Sequence, residues 1–197
     1  VRIGMAVTKA QALVPGLIVA ESDPVAESEG LTKLALWALQ RISPIVMADP
    51  PDGLVIDTTG ADHLHGGEAA MLADMIKRFA ASGVEARAAV ADTCGAAHAA
   101  ARFVARPVII IPPGEGEALL RTLPLQALRL DPGTVSGLHT LGFETVGELL
   151  DQPRAPLALR FGPEIGRRLD QALGRIAEPV DPVRSPELIE ARKVFGE

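Results

Sequence analysis

The chain has 197 residues, a formal net charge of −6 and a 48% share of hydrophobic residues. That hydrophobic share can bury a core in one or two domains, which excludes a disordered chain. The longest apolar runs fall far short of the roughly 18–20 residues of a membrane-spanning helix, so no membrane partner is expected. The single cysteine excludes a disulfide framework and a cysteine-based zinc site, and it favours a reducing, cytoplasmic setting.

The acidic balance also restricts the kinds of nucleic-acid partner. Proteins that coat nucleic acids neutralise phosphates with clustered lysine and arginine, whereas this sequence contains four lysines. Aromatic residues make up 3% of the chain and none is tyrosine, which argues against a platform for base stacking. We therefore expect this part of the chain to hold DNA weakly.

The first part of the sequence alternates predicted helices and strands. After a short helix at 8–13, Asp23 and Pro24 start a second helix, because an acidic N-cap followed by proline suits the first helical turn. Ser43-Pro44 ends that helix. The later elements are a strand at 53–58, a helix at 68–82, a strand at 84–91, a helix at 94–104 and a strand at 108–111. This alternation predicts an α/β or α+β layer.

After Pro112-Pro113-Gly114 the pattern becomes helical. Predicted helices at 132–140 and 145–150 flank the turn Leu141-Gly142-Phe143, and an amphipathic helix covers 163–176. Two helices joined by a short glycine-containing turn can point backbone N–H groups at a phosphate, as in a helix–hairpin–helix element. An ordinary pair of antiparallel helices has the same pattern, and the sequence leaves both interpretations open.

Two aspartates flank one predicted strand. Asp52 precedes the strand and Asp57 lies near its end, and paired carboxylates at a strand end can hold Mg²⁺ ions for phosphoryl transfer. Their spacing of five residues puts them on opposite faces of an extended strand, so the two alone do not form one site. His63 and His65 alternate in the next segment, where a surface turn is favoured over a metal site.

The ordered set of segments resembles the Y-family DNA polymerases. Residues 2–15 resemble the fingers, 41–58 a helix and acidic strand of the palm, 89–106 the next palm strand and helix, and 123–176 the thumb. Within the family, three stretches are similar to the ImuB-like branch, the polymerase-like subunit of the bacterial mutasome. They are P-D-G-L-V-I-D-T-T-G at 51–60, H-L-H-G-G-E at 63–68 and R-F-G-P at 160–163.

This resemblance implies an α+β architecture, in which a ferredoxin-like palm joins a small helical thumb that contains the helix–hairpin–helix-like unit. The implied domains are partial fingers at 1–22, a palm at 23–115, a helical thumb at 116–181, and a linker with the start of a little-finger domain at 182–197. We expect the sequence to be part of a longer protein, because it begins without a lead-in to its first helix.

The acidic pair of the family is incomplete in this sequence. Active members carry adjacent aspartate and glutamate on this palm strand and a further aspartate on an upstream strand, whereas the pair position here has Asp52 and Gly53. Nucleotidyl transfer uses two metal ions held by oxygen ligands, so loss of a carboxylate is expected to cost orders of magnitude in rate. The resemblance thus implies a vestigial Asp52, no catalytic residue, and Mg²⁺ as a cofactor only if the chain is active.

The resemblance also indicates candidate residues for phosphate and DNA. Arg106 stands before a proline where the family has a triphosphate-binding lysine, and Arg2 lies near the position of a fingers arginine; an arginine can hold phosphate. In the thumb, Arg129-Leu130-Asp131 replaces the family's Gly-x-Gly, and Asp131 would repel phosphate modestly. The DNA-binding candidates are Leu141, Gly142, Phe143, Arg167 and Arg168.

The function implied by the resemblance is DNA repair, as a non-catalytic scaffold in translesion synthesis and SOS mutagenesis. The implied partners are DNA, a sliding clamp, an error-prone replicative-type polymerase and a RecA-like accessory subunit, with a cytoplasmic, nucleoid-associated location. An apolar palm face is one hypothesis for the partner surface. Two alternatives stay open: an active templated polymerase, a nucleotidyltransferase with substitute metal ligands, and a separate helix–hairpin–helix DNA-binding module.

Overall fold

A computed structural model describes residues 1 and 4–184 of the chain. The first part contains α1 (Val7–Leu13), α2 (Pro24–Arg41), β1 (Val46–Asp49), β2 (Gly53–Ile56), α3 (Glu68–Ala81), β3 (Ala88–Val90), α4 (Cys94–Phe103) and β4 (Val108–Ile110). The second part contains α5 (Gly116–Arg121), α6 (Pro132–Thr140), α7 (Val146–Leu150), α8 (Arg154–Phe161) and α9 (Glu164–Ala172). This arrangement confirms the predicted α+β fold class with a helical second part.

Some predicted positions lie outside the described residues. Arg2 is one of them, and so is most of the predicted linker and little-finger start, at 185–197. Among the residues that the structure does describe, no helix is both long and apolar enough to cross a membrane.

Helix α2 shows how the sequence sets the element boundaries. The side chain of Asp23 accepts a hydrogen bond of 3.0 Å from the N–H of Ala26, and Pro24 occupies the first helical turn, where no intrahelical N–H bond is lost. The helix ends at Arg41, shortly before Ser43-Pro44, because the residue before a proline avoids the helical conformation. Both ends agree with the sequence prediction.

The four strands form two separate pairs in the described part of the chain. Strands β1 and β2 form an antiparallel hairpin, and β3 pairs with β4 in parallel. Strand β1 was not predicted, because it has four residues between Pro44 and Pro50 and too few positions to show an alternation. The strand predicted at 84–91 is confined to Ala88–Val90.

The core consists of three groups of buried side chains. Helix α2 packs on β1 and β2 through Ala35, Ala38 and Val46, each fully buried. Helix α3 packs on β3 and β4 through a second group. The largest group joins α4 to the helical second part, so it crosses the predicted palm–thumb boundary at 115.

Helices α4 and α9 approach each other closely where the two parts meet. A Cβ atom on Gly95 of α4 would lie 2.8 Å from Cα of Ala172 on α9, so only glycine fits there without movement. Thr93 caps α4 by accepting from the N–H of Ala96 at 3.0 Å, and its hydroxyl donates to the carbonyl of Ala172 at 2.8 Å. The start of α4 is therefore fixed by its own cap and by the second part of the chain.

A segment from 177 to 184 returns from the helical part to the first hairpin. Both carboxylate oxygens of Glu178 accept from Arg129, at 2.6 and 2.7 Å, and one also accepts from Arg168 at 3.2 Å. Further along, the N–H of Val183 donates to the carbonyl of Val46 at 2.8 Å. The segment thus contacts both parts of the fold.

The tight approach at Gly95 gives a stability prediction. The variant Gly95→Ala forces α4 and α9 apart, and we expect it to lower the free energy of unfolding by about 1–3 kcal/mol. The matched control is Gly166→Ala in α9, where the added Cβ meets nothing within 4 Å. That control should be neutral or stabilising by about 0.5–1 kcal/mol, because alanine favours a helix. Urea unfolding measures both values, and equal effects would contradict the packing argument.

Candidate functional site

The first hairpin presents two carboxylates close to the end of helix α4. Asp49 ends β1, Asp52 immediately precedes β2, and the strand register pairs Asp49 with Gly53. Asp52 is largely exposed, with 63% of its side chain accessible, whereas Asp49 is 20% accessible. The hairpin turn therefore brings a largely buried carboxylate, Asp49, and a largely exposed one, Asp52, to one end of the sheet.

Arg102 of α4 faces this turn and holds Asp52. Its Nη2 lies 2.5 Å from Oδ1 of Asp52 and its Nη1 lies 3.4 Å from Oδ2, so the guanidinium reaches both carboxylate oxygens. This hydrogen-bonded ion pair lowers the pKa of Asp52 below its ordinary value. The carboxylate is therefore ionised and already paired with a cation at neutral pH.

His98 supports the guanidinium from one helical turn before it. The Nε of Arg102 donates to Nε2 of His98 at 2.9 Å, and this nitrogen also lies 3.7 Å from a carboxylate oxygen of Asp49. Burial, with the nearby charges of Arg129 and Arg102, lowers the pKa of His98 to about 4. His98 is therefore a neutral acceptor that orients the guanidinium toward Asp52.

Gly53 lies in close contact with this cluster, so a side chain there would have little room. A Cβ atom there would lie 3.1 Å from the carbonyl oxygen of Asp49, 3.3 Å from its Oδ2 and 3.4 Å from Nη2 of Arg102. Any longer side chain at this position would extend into the space between Asp49 and Arg102. The resemblance places the family's glutamate at this position. In this chain the glutamate is absent, and the guanidinium of Arg102 lies next to the space that its side chain would take.

Asp57 bonds within its own turn and has no hydrogen bond to the pair formed by Asp52 and Arg102. Its Oδ1 accepts from the N–H of Thr59 at 2.9 Å, which lowers the pKa of Asp57, and its carbonyl accepts from the hydroxyl of Ser43. Across residues 1 and 4–184, no group of three or more histidine, cysteine, aspartate or glutamate side chains is arranged to hold a metal ion. Asp57 therefore ends a strand and starts a turn.

Other candidates from the sequence lie apart from the hairpin. His63 and His65 belong to a short 3₁₀ turn, where His65 approaches the carbonyl of Ile42 at 3.3 Å. Burial raises the pKa of Cys94, which is the opposite of what a reactive thiol requires. Arg106 is exposed and donates to the neighbouring carbonyl of Ala105 at 2.9 Å.

The acidic hairpin opens on a groove of about 560 Å³. Residues of β2 and β3 line it on two sides, and Leu34 of α2, Phe79 of α3 and His98 of α4 contribute to its walls. Asp52 and Arg102 line it as well, whereas Arg106 does not. The structure thus gathers Asp52 and Gly53 at one groove and leaves Arg106 outside it.

The predicted turn between α6 and α7 has the expected position, and its backbone N–H groups are already bonded. The amides of Leu141, Gly142 and Phe143 donate to carbonyls of the preceding helix at 2.9–3.1 Å. The next two amides, at Glu144 and Thr145, donate to one carboxylate oxygen of Glu148 at 2.6 and 2.9 Å. The carboxylate of Glu148 thus occupies two amides that an anion could otherwise bind, and these hydrogen bonds lower its pKa.

Six of the seven arginines between residues 116 and 181 are paired with carboxylates, and the seventh, Arg160, lies over the ring of Phe161. Arg167 contacts Glu164 at 2.5 Å, and Arg168 contacts both Glu164 and Glu178 at 2.9 and 3.2 Å. Arg129 adopts a positive φ of 55°, the conformation that the family's glycine would favour. The ion pairs engage the guanidinium groups of Arg167 and Arg168 within the chain, and DNA binding by these two arginines stays a prediction.

Three residues of the cluster were missed from the sequence: Asp49, His98 and Arg102. His98 and Arg102 are four residues apart on α4, which places them on one helix face. Nothing in the local sequence connects them to Asp52, which lies 50 positions away from Arg102. The one available signal was a pair of polar residues on one face of an alanine-rich helix.

Comparison with known structures identifies the class of fold. The structure titled DinB from Sulfolobus solfataricus superposes with a TM-score of 0.70 at 18% identity, over 92% of this chain and 55% of that chain. No protein-family model matches the chain. The fold is that of a Y-family DNA polymerase.

Sequence comparison identifies the branch. Protein ImuB of Caulobacter vibrioides (strain NA1000 / CB15N) is 51% identical over 175 residues, which are 89% of this chain and 38% of the relative. DNA polymerase IV of Halorhodospira halophila is 36% identical over 89 residues, 45% of this chain and 25% of the relative. The chain thus spans less than half the length of these relatives. The predicted resemblance to the Y family and its ImuB-like branch is confirmed.

The neutral state of His98 predicts a specific pH dependence. Its pKa in the folded chain, about 4, lies below the ordinary value of 6.5, so the unfolded chain binds the proton more readily. Its contribution to stability is complete above pH 6.5 and is lost as the pH falls toward 4. We expect a loss of about 2 kcal/mol between pH 7 and pH 5.

Urea unfolding at the two pH values measures this loss in the original chain and in His98→Gln, which keeps an acceptor for Arg102. The variant should lack most of the loss, and His63→Gln should retain it, because His63 is exposed in the 62–65 turn and has no contact with Arg102. An equal pH response in all three proteins would contradict the assignment.

The bonded hairpin predicts that removal of Glu148 exposes an anion site. The variant Glu148→Ala frees the amides of Glu144 and Thr145, so we expect severalfold tighter binding of an oligonucleotide at low salt with a steeper salt dependence. It should also cost about 1 kcal/mol of stability, because a helix cap is lost. Fluorescence anisotropy of labelled DNA with the full-length protein measures the affinity. Glu117→Ala removes the same charge from α5, and an equal gain there would show a general charge effect.

Proposed function

We propose that the chain is part of a polymerase-like DNA-repair protein that acts in translesion synthesis and induced mutagenesis as a scaffold without its own nucleotidyl transfer. One observation carries this proposal: at the acidic hairpin, Gly53 provides no second carboxylate, and Arg102 is bonded to the remaining Asp52. In-line nucleotidyl transfer needs metal ions that bridge the attacking and leaving oxygens. A carboxylate paired with a guanidinium is not available to such ions.

The fold supports a role in DNA transactions, and the charges of the chain support a weak direct contribution to DNA binding. The helical part contains seven basic and nine acidic side chains between residues 116 and 181. Its hairpin amides and its paired arginines are engaged within the chain. We therefore propose that stable recruitment to DNA depends on other parts of the protein and on partners.

The proposed partners are those implied by the ImuB-like resemblance: a sliding clamp, an error-prone replicative-type polymerase and a RecA-like accessory subunit. A scaffold role explains why a polymerase fold would be kept without a complete metal site, because the surface of the fold stays useful when its chemistry is lost. Binding of each partner to the full-length protein is measurable separately from catalysis, so this part of the proposal has its own test.

Primer extension tests the absence of catalysis. The full-length protein is incubated with a primed template and four deoxynucleotides, first with Mg²⁺ and then with Mn²⁺, next to the Asp52→Ala variant. We expect no extension above that variant under either condition, because Gly53 supplies no carboxylate and Asp52 is paired with Arg102. Both proteins should bind the same partners, since Asp52 lies at the groove and not in the core.

Extension that disappears in Asp52→Ala would contradict the scaffold proposal and support the alternative of an active polymerase with substitute ligands. Steep, salt-dependent DNA binding by residues 116–181 alone would favour the separate helix–hairpin–helix module instead.

A further inference from the structure

The cluster around Arg102 does not fit a divalent metal ion. Mg²⁺ requires nearly octahedral oxygen ligands at about 2.0–2.1 Å and carries two positive charges. In this structure the accessible carboxylate, Asp52, already accepts hydrogen bonds from two nitrogen atoms of Arg102. The Nε of the same guanidinium donates to His98. A guanidinium stays protonated at any physiological pH and offers donors only, so it repels a metal ion and cannot coordinate one.

The orientation of Arg102 is fixed at both ends of its guanidinium. Its Nε is bonded to His98 and its Nη2 to Asp52, and its side chain is 33% exposed. Two directed contacts on one planar group restrict it far more than a single surface ion pair would. The positive charge is therefore held at one place beside the hairpin.

The space beside Gly53 is bordered by the same guanidinium. A Cβ atom on residue 53 would lie 3.4 Å from Nη2 of Arg102 and 3.3 Å from Oδ2 of Asp49. A carboxylate introduced at residue 53 would thus lie next to the guanidinium of Arg102 and could pair with it instead of with a metal ion. Restoring the missing glutamate by itself is insufficient to rebuild a metal site.

We propose that Arg102 is a built-in counter-ion, which takes the electrostatic place of the metal and keeps the acidic hairpin closed to divalent cations. Asp52 then has a structural role: through Arg102 it links the β1–β2 turn to α4. This inference deepens the proposed non-catalytic function and rests on it. It concerns metal binding, whereas the proposed function is tested by primer extension, so each can fail without the other.

A variant series in the full-length protein tests the counter-ion, with Mn²⁺ as the probe and electron paramagnetic resonance of free Mn²⁺ as the readout. The series comprises the original protein, Gly53→Glu, Arg102→Ala, and the double variant Gly53→Glu/Arg102→Ala. We expect no Mn²⁺ site in the first two proteins, a weak one in Arg102→Ala, and at least tenfold tighter binding in the double variant. Adding Asp52→Asn to the double variant should abolish that gain.

Two further variants separate charge from shape. Arg102→Lys keeps the positive charge and should still exclude Mn²⁺ when combined with Gly53→Glu. Arg102→Gln retains a hydrogen-bonding side chain without charge and should admit the ion, which covers the case in which the alanine variant fails to fold. Circular dichroism and thermal unfolding verify the fold of every variant.

Two results would overturn the inference. In the first, Gly53→Glu alone binds Mn²⁺ as tightly as the double variant, which would show that Arg102 is not the barrier. In the second, the double variants that combine Gly53→Glu with Arg102→Ala or Arg102→Gln fold but gain no Mn²⁺ site that depends on Asp52. That result would show that the hairpin cannot form a metal site even without Arg102.

Discussion

Close packing of α4 against the helical part is the constraint on which the rest of the structure depends. The alanines on its buried face are at most 1% exposed, and the glycine at its start leaves no room for a side chain against Ala172. Interiors packed at this density transmit small shifts, since few voids are left to absorb them. Because α4 also carries His98 and Arg102, the same helix fixes the second part of the fold and positions the guanidinium at the acidic hairpin.

The electrostatics of the hairpin follow from that placement. One arginine between a neutral histidine and an aspartate satisfies the charge of Asp52 within the chain, with 63% of the aspartate side chain still accessible. Exposed ion pairs generally contribute about 0–1 kcal/mol, so the importance of this pair lies in occupying the carboxylate and not in stabilising the fold. The helical hairpin shows the converse arrangement. There the carboxylate of Glu148 accepts hydrogen bonds from backbone amides that could otherwise bind an anion.

The sequence predicted the long elements well, because caps, prolines and helical periodicity are local signals. Asp23-Pro24 and Ser43-Pro44 mark α2 correctly, and the turn Leu141-Gly142-Phe143 lies between α6 and α7 as expected. Strand β1 and helices α5 and α8 were missed: β1 and α5 are too short for a pattern, and α8 contains Pro156 in its first turn. At the site, Asp52 and Gly53 were found through the resemblance. The partnership of Asp52 with Arg102 depends on tertiary packing, which no local pattern records.

The returning segment has a further consequence for the hairpin that it reaches. The N–H of Val183 uses the carbonyl of Val46, and Val183 packs on the buried group beneath β1. An uncovered outer strand offers free backbone groups to any other chain and invites edge-to-edge aggregation. Glu178, held by two arginines, keeps this cover in place. The segment therefore protects β1 from unwanted strand addition with residues of the chain itself.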